Sequence, residues 1–308
     1  MYNSMLGALE MGLLYAFMAL GVYITFRILD FPDLTVDGSF TTGGAIAAVM
    51  ITNGSAPWLA TLCALGGGMV AGMCTGLLHT KGKINGLLSG ILMMIALYSI
   101  NLRILGKPNV SLMGEDTLFS SINPLLVMPF VVILVKILMD LFLRTDLGLA
   151  LRATGDNARM IRSFGVNTDT TTILGISLSN GMVALSGALI AQYSTFADSS
   201  MGIGMIVIGL ASVIIGEAIF GAGSVFRATL AAVLGSIVYR IVVALALRVP
   251  WLEASDLKLI TAIIVIVALL FPSIQRYLKT KSTARKRTAE LAEQALRSKK
   301  GGAANAKA

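Results

Sequence analysis

The chain has 308 residues, 56% of them hydrophobic and only 13% charged, with a formal charge of +8 at pH 7. A soluble domain is nearer a quarter charged, so the composition excludes an ordinary globular enzyme and points to a polytopic membrane protein. The basic excess gathers at the C-terminal end, where Arg276, Lys279, Lys281, Arg285, Lys286, Arg287, Arg297, Lys299, Lys300 and Lys307 face only Glu290 and Glu293. That pattern suits anionic inner-leaflet lipid rather than nucleic acid.

In chain order, hydropathy predicts about nine spans, each needing roughly 20 apolar residues to cross a bilayer. The first runs from Met5 to Phe26 and has no basic n-region before it, so it should remain as a span rather than be cleaved. A polar opening, Ile28 to Phe40, leads into a short apolar run over Gly38–Ile51. Trp58–Leu78 and Ile84–Ile100 follow. A polar loop, Asn101–Ser121, precedes Asn123–Leu143. Beyond the polar segment Leu147–Asn167 come Thr171–Gln192, Ile203–Phe220, Ser224–Leu247 and Leu257–Leu278. The expected domain plan is a membrane domain over 1–278 and a basic tail over 279–308.

Basic loops mark the cytoplasmic side. Lys81 with Lys83, the arginines of the polar segment and the tail therefore share that side, which puts the N-terminus outside and the C-terminus in the cytoplasm. About five spans precede the polar segment and about four follow it. Spans one to four and six to nine are then related by inversion around a central span, a common plan of transport proteins. The equal spacing of Gly7 to Asp30 and of Gly175 to Asp198 agrees with it.

The polar segment, with loop residues 145–167 around it, carries Arg152, Arg159 and Arg162 against the acid Asp156. A break at Gly155-Asp156-Asn157 precedes a helical run, Ala158 to Phe164, too short to span. Gly165 stands where a helix C′ glycine belongs. Met160, Ile161 and Phe164 share one side of the run. Arginines that only set topology would also explain the charges. The order of residues argues further. Gly148, Ala150, Leu151, Arg152, Ala153, Gly155, Asp156 and Asn157, followed by Gly165, Val166 and Asn167, resemble the coupling loop of ABC importer permeases, nearest to those for branched-chain amino acids and ribose-type sugars. The resemblance covers about residues 5–275. It implies a loop that docks on a separate ABC ATPase, a homodimer or paralogous pair of permeases, an extracytoplasmic binding protein and an inner-membrane location. It also implies an all-α fold like the vitamin-B12 importers, with two inverted four-helix repeats. The opening, GALEMGLLYAFMALGVYITFRILDFPDLTVDGSF, is similar to the branch assigned to tryptophan and tyrosine transport, implying an aromatic amino acid as substrate.

Two further stretches stand out. Asp33, Thr35, Asp37, Ser39 and Thr42 place polar groups at membrane depth, which is costly unless they line protein or water. They are expected to wall the pathway on a partly broken, water-reachable helix. An interfacial loop with Asp37 or Ser39 as N-cap is the alternative. The stretch Gly209–Gly235 resembles the family's last-third signature: Gly209, Gly216, Gly221, Gly223, Ser224, Gly235 and Ser236 match. Close helix packing would explain most of these small residues. Glu217, in the same stretch, could pair with Arg227 across the turn or with a partner's cation, so that Glu217, Gly221, Gly223 and Arg227 serve a cytoplasmic gate or packing. Lys136 and Asp140, four apart, suit a local pair. Glu10 and Arg240 could pair together, line the pathway or snorkel.

No catalytic set is evident. Nothing matches GxxxxGK[ST]; the Gly-Lys steps are Gly82-Lys83 and Gly106-Lys107. His79 stands alone, and Cys63 and Cys74, in one span, would lie roughly 16 Å apart, too far for a disulfide. Neither a metal nor a cofactor is expected. The competing functional class is an ion-coupled secondary carrier using Glu10 or Glu217, with no ATPase.

Overall fold

Glycine and small polar residues, rather than bulky apolar ones, decide how the helices meet. The computed structural model describes residues 2–120, 123–247, 259, 261–263, 265–267 and 270. The chain divides into units Met1–Ile263 and Ile264–Ala308. The ninth expected span lies largely outside the described residues, and the basic tail wholly so.

The elements are α1 (Tyr2–Val22), continued by a π-turn over Tyr23–Ile28, then α2 (Thr35–Thr52), α3 (Pro57–Thr80) and α4 (Gly86–Leu105). A short strand β1 (Asn109–Ser111), α5 (Pro124–Phe142), α6 (Asp146–Ser163), α7 (Thr168–Ser194), strand β2 (Phe196–Asp198), α8 (Met205–Phe220) and α9 (Val225–Ala246) complete the series. Among the described residues six helices are long and apolar enough to cross a membrane: Met5–Ile28, α3, α4, α5, α7 and α9. Two further expected spans form helices that fall outside that group. α8 is only 16 residues long. α2 is rich in threonine and glycine, and is buried along most of its length rather than turned to lipid.

α7 is the axis. Its first turn is capped by Asn167, whose Oδ1 accepts from Asp169 N (3.1 Å) and Thr170 N (3.3 Å). It runs 27 residues and packs against α1, α2 and α3. Contact is backbone to backbone. A Cβ on Gly43 of α2 would collide with the carbonyl of Ala184, one on Gly187 with the carbonyl of Phe40, and one on Gly68 of α3 with Asn180 O. Hydroxyls bridge the same seams: Ser179 Oγ donates to Gly21 O (2.7 Å) and Ser186 Oγ to Leu14 O (2.8 Å). Close approach of this kind replaces the hydrophobic drive that lipid removes. α8 and α9 repeat the device, with Gly216 against Ala231 O and Gly235 against Ser212 O, as small residues in that signature suggest.

Two features depart from the sequence reading. The loop expected over Asn101–Ser121 begins later, because α4 continues to Leu105 and buries Asn101, whose Oδ1 accepts from Thr42 Oγ1 (2.8 Å). The loop also contributes a strand: β1 pairs antiparallel with β2, Val110 opposite Ala197. A three-residue pairing has no hydropathy signature, so an all-α expectation misses it.

The polar segment after the first span is the second correction. The chain is irregular over 29–34, and α2 then runs unbroken from Thr35. Thr35, Ser39 and Thr42 do not line water; they are buried and paired, Thr35 with Thr75 (2.8 Å), Ser39 with Asn180 Oδ1 (2.7 Å) and Thr42 with Asn101. Asp33 is buried as well and accepts from Thr35 N (2.9 Å) and Asn180 Nδ2 (2.6 Å). Asp37 does cap a helix, but not its own: its two oxygens accept from Gly204 N and Ile206 N (both 2.8 Å), holding the N-terminus of α8.

Lys136 and Asp140 form the local pair expected within α5, both nearly fully buried. Thr229 Oγ1 donates to the other carboxylate oxygen (2.6 Å), and Lys136 Nζ lies 3.1 Å from the Phe226 ring centroid. The pair thus ties α5 to α9.

Two outcomes follow from this packing. Lys136→Met alone leaves a buried carboxylate unpaired and should cost about 3–5 kcal/mol, whereas Lys136→Met with Asp140→Asn should recover most of the loss, read as melting temperature of the purified chain in detergent. In a background with Cys63 and Cys74 replaced by serine, cysteines at Thr35, Ser39 and Thr42 should resist a small polar thiol reagent that labels a cysteine at Phe164.

Candidate functional site

One end of the body gathers the loops that carry charge. Lys81 Nζ lies 3.9 Å from Asp169 Oδ2, so the α3–α4 loop and the start of α7 share that end. The π-turn, α6 and the α8–α9 turn meet there too.

α6 builds the site. Thr145 opens it, its Oγ1 accepting from Gly148 N (3.3 Å). The helix is interrupted at Asn157, which adopts extended backbone (φ −159°, ψ 87°). Its Oδ1 accepts from Met160 N (3.0 Å), so Asn157 caps and restarts the helix, within the Gly155–Asn157 break that the sequence indicates. Phe164 ends the second piece, and Gly165 follows with φ +85°, a conformation L side chains avoid.

The segment is fastened along its inner side. Leu151 is fully buried, Thr154 shares a hydrogen bond with Thr171 (2.9 Å), and Gly155 sits so close to Ile28 that a Cβ would strike its carbonyl oxygen. Arg162, expected at the rim of a partner, is instead engaged internally with Thr168 and with Asp169 (3.3 Å). Ile161, expected on the apolar side with Met160 and Phe164, is half-buried. What stands free is narrower: Met160 at 53% exposure, Phe164 at 74% and the exposed Arg159. Met160 and Phe164 are four apart and form one apolar ridge.

Beside α6 lies a cavity of about 300 Å³, lined among others by Tyr23, Arg27, Arg152, Asp156, Glu217 and Ser224. It joins the polar segment to the other candidate stretch. Glu217 does not pair with Arg227. Arg27 takes it in a two-pronged contact, Nε to Oε1 (2.8 Å) and Nη2 to Oε2 (2.5 Å). The α8–α9 turn forces this choice. Gly221 ends α8 with φ +79° and donates to Glu217 O (2.9 Å); Gly223 borders the cavity; Ser224 Oγ then caps α9 through Arg227 N (3.3 Å), and the Arg227 side chain is left exposed. Arg27 owes its place to the π-turn, a wide turn that often marks functional sites. Sequence reasoning missed it. The signal available was a basic residue in the last turn of an apolar span, just before a polar break.

Glu10 and Arg240 do not meet either. Glu10 accepts from Tyr193 Oη (2.6 Å). The Arg240 guanidinium carbon lies 3.8 Å from the Tyr15 ring centroid, over its face.

Known proteins resemble this chain in sequence and in fold. The family model described as branched-chain amino acid transport system / permease component matches residues 4–270. A tyrosine transport system permease protein of Clostridioides difficile (strain R20291) is 47% identical over 268 residues, covering 87% of this chain and 90% of that protein. An uncharacterized protein of Rickettsia prowazekii (strain Madrid E) is 36% identical, covering 87% and 97%. Among solved structures, PsaBC from Streptococcus pneumoniae in complex with Fab shares the fold with a TM-score of 0.55 at 14% identity, over 89% of this chain and 94% of that chain. The chain belongs to the family of branched-chain amino acid transport system permease components.

Proposed function

We propose that this permease is the transmembrane subunit of an ATP-driven importer for an aromatic amino acid, and that α6 couples it to a separate ATPase. The observation that carries the reading is the ridge of Met160 and Phe164. It is exposed on a helix held rigidly from behind by Gly155, Thr154 and Arg162. Apolar side chains outside the spans, on a firmly seated helix, suit a groove on a soluble partner. The tyrosine transport relative supports the substrate class. A second permease copy and an extracytoplasmic binding protein complete the assembly; loops with Lys81, Arg152 and Arg159 face the cytoplasm, and the basic tail lies on anionic lipid. The membrane domain follows the inverted-repeat plan.

The cavity beside α6 supplies a route for coupling. Arg152 and Asp156 of α6 line the same space as Arg27 and Glu217, so a push on the ridge reaches the ends of α1 and α8. The Arg27–Glu217 pair acts as a latch at the cytoplasmic end. Its existence also weakens the ion-coupled carrier, because Glu217 is already charge-paired.

Truncating Phe164 to alanine should weaken ATPase capture by about 2 kcal/mol or more, as a buried anchor does, while Arg159→Ala costs about 1 kcal/mol or less. Pull-down of the ATPase and uptake in proteoliposomes measure both. Normal uptake by Phe164→Asp with no ATPase bound would overturn the reading and leave a secondary carrier. For the latch, Arg27→Glu and Glu217→Arg should each cut uptake by about fivefold or more while ATP hydrolysis continues, and the charge-swapped double variant should restore it.

A further inference from the structure

At the opposite end from α6, a second and larger cavity opens between α1, α2, the start of α8 and α9. Its volume is about 610 Å³, within the range of small-molecule sites. Its walls are mostly apolar, with Tyr15, Phe40, Ile190, Met205 and Ile208 among them, and one cation, Arg240, faces it.

That cation is anomalous. Arg240 lies on α9, inside a span. An arginine at such depth is costly and normally pairs with an acid. No carboxylate pairs with it among the described residues. Its Nε atom is buried and makes no hydrogen bond. The nearby acids are committed elsewhere. Glu10 is held by Tyr193 Oη, and Asp37 spends both oxygens on the N-terminus of α8. What Arg240 does have is a ring. Its guanidinium stacks on Tyr15, and Tyr15 stacks on Phe40, with centroids 6.1 Å apart and planes within 8°. Tyr15 and Phe40 are buried. The stack fixes the guanidinium plane, and a fixed plane presents donors in the fork that matches a carboxylate.

We propose that this cavity binds the transported amino acid within the permease itself, with the substrate carboxylate on Arg240 and a large apolar or aromatic side chain against Phe40, Ile190, Met205 and Ile208. The inference rests on the reading of the chain as an amino acid permease and adds the site and the groups that select its substrate. An anion supplied by the ligand completes the charge that the protein leaves open. The apolar walls reward a bulky side chain and give a small hydrophilic one nothing. Specificity then comes from two separable features, the carboxylate and the ring.

The test uses the full chain in its complex with the ATPase, in nanodiscs of zwitterionic lipid, without a binding protein. Labelled L-tyrosine is the probe. Saturable binding is expected, displaced by 3-(4-hydroxyphenyl)propionate, which keeps the carboxylate, and not by tyramine, which lacks it. Arg240→Gln should weaken binding by about tenfold or more, the loss expected for a hydrogen bond to a charged group, and Arg240→Lys by less. Ile208→Trp, which fills the cavity without touching the charge, should also reduce binding. The displacement pattern needs no variant, so misfolding of Arg240→Gln does not blunt the test. Equal displacement by tyramine, absence of saturable binding, or unchanged binding in a well-folded Arg240→Gln would overturn the proposal. So would loss of L-tyrosine binding on adding anionic lipid, which would assign Arg240 to a lipid headgroup. ATPase-dependent uptake that is indifferent to Arg240→Gln would remove this site and leave the importer reading intact.

Discussion

Everything in this fold depends on how closely other helices can approach the backbone of α7. Within a bilayer, apolar side chains gain nothing by leaving lipid for one another, so association needs backbone proximity and hydrogen bonds. Gly43, Gly68 and Gly187 provide the first, and Ser179, Ser186 and Asn180 the second. Asn180 joins three elements, accepting from Ser39 on α2, donating to Asp33 in the preceding turn, and donating to Ile176 O on its own helix. A side chain added at any of these glycines would part the helices and strand buried polar groups at once.

The two polar interruptions flanking α7 divide the labour of the molecule. On one side, the break after α1 and the kink in α6 converge on the Arg27–Glu217 pair, so α6 and the ends of α1 and α8 share a cavity. On the other, the β1–β2 pairing and the loop entering α8 close over α2. Asp37 connects the halves. Its carboxylate holds the N-terminal amides of α8, and the far end of α8 carries Glu217. A helix of 16 residues therefore runs from the wall of the Arg240 cavity to the Arg27–Glu217 pair. Glycine contacts seat it closely against α9, Gly216 at Ala231 O and Gly235 at Ser212 O.

Charge in the spans is handled in two ways. Lys136 and Asp140 neutralise one another inside one helix and recruit Thr229 from the next, which makes them structural. Among the described residues Arg240 has an aromatic face and no carboxylate, and its Nε makes no hydrogen bond. Spacing separates the two cases. Residues four apart on a helix meet without help from the fold, whereas Glu10 and Arg240 needed the fold to bring them together, and it gave Glu10 to Tyr193 instead.

The sequence alone determined the helical membrane class, the approximate positions of the described apolar helices, the break before Ala158 with its glycine stop at Gly165, and the local pair in α5. These depend on hydropathy, on caps within a few residues, and on the helical period, all of which are local. Only the tertiary structure decided the rest. Polar residues such as Thr35, Ser39 and Thr42 read the same whether they wet a pathway or satisfy a buried seam, because the distinction lies in whether Thr75, Asn180 and Asn101 stand opposite. The partner of Glu217 could not be read either, since Arg27 is 190 positions away and reaches it through a π-turn. Strand pairing between residues 109–111 and 196–198 is likewise non-local. Local chemistry sets what each segment is; which polar group each buried charge finds is set by packing, and packing here follows the glycines.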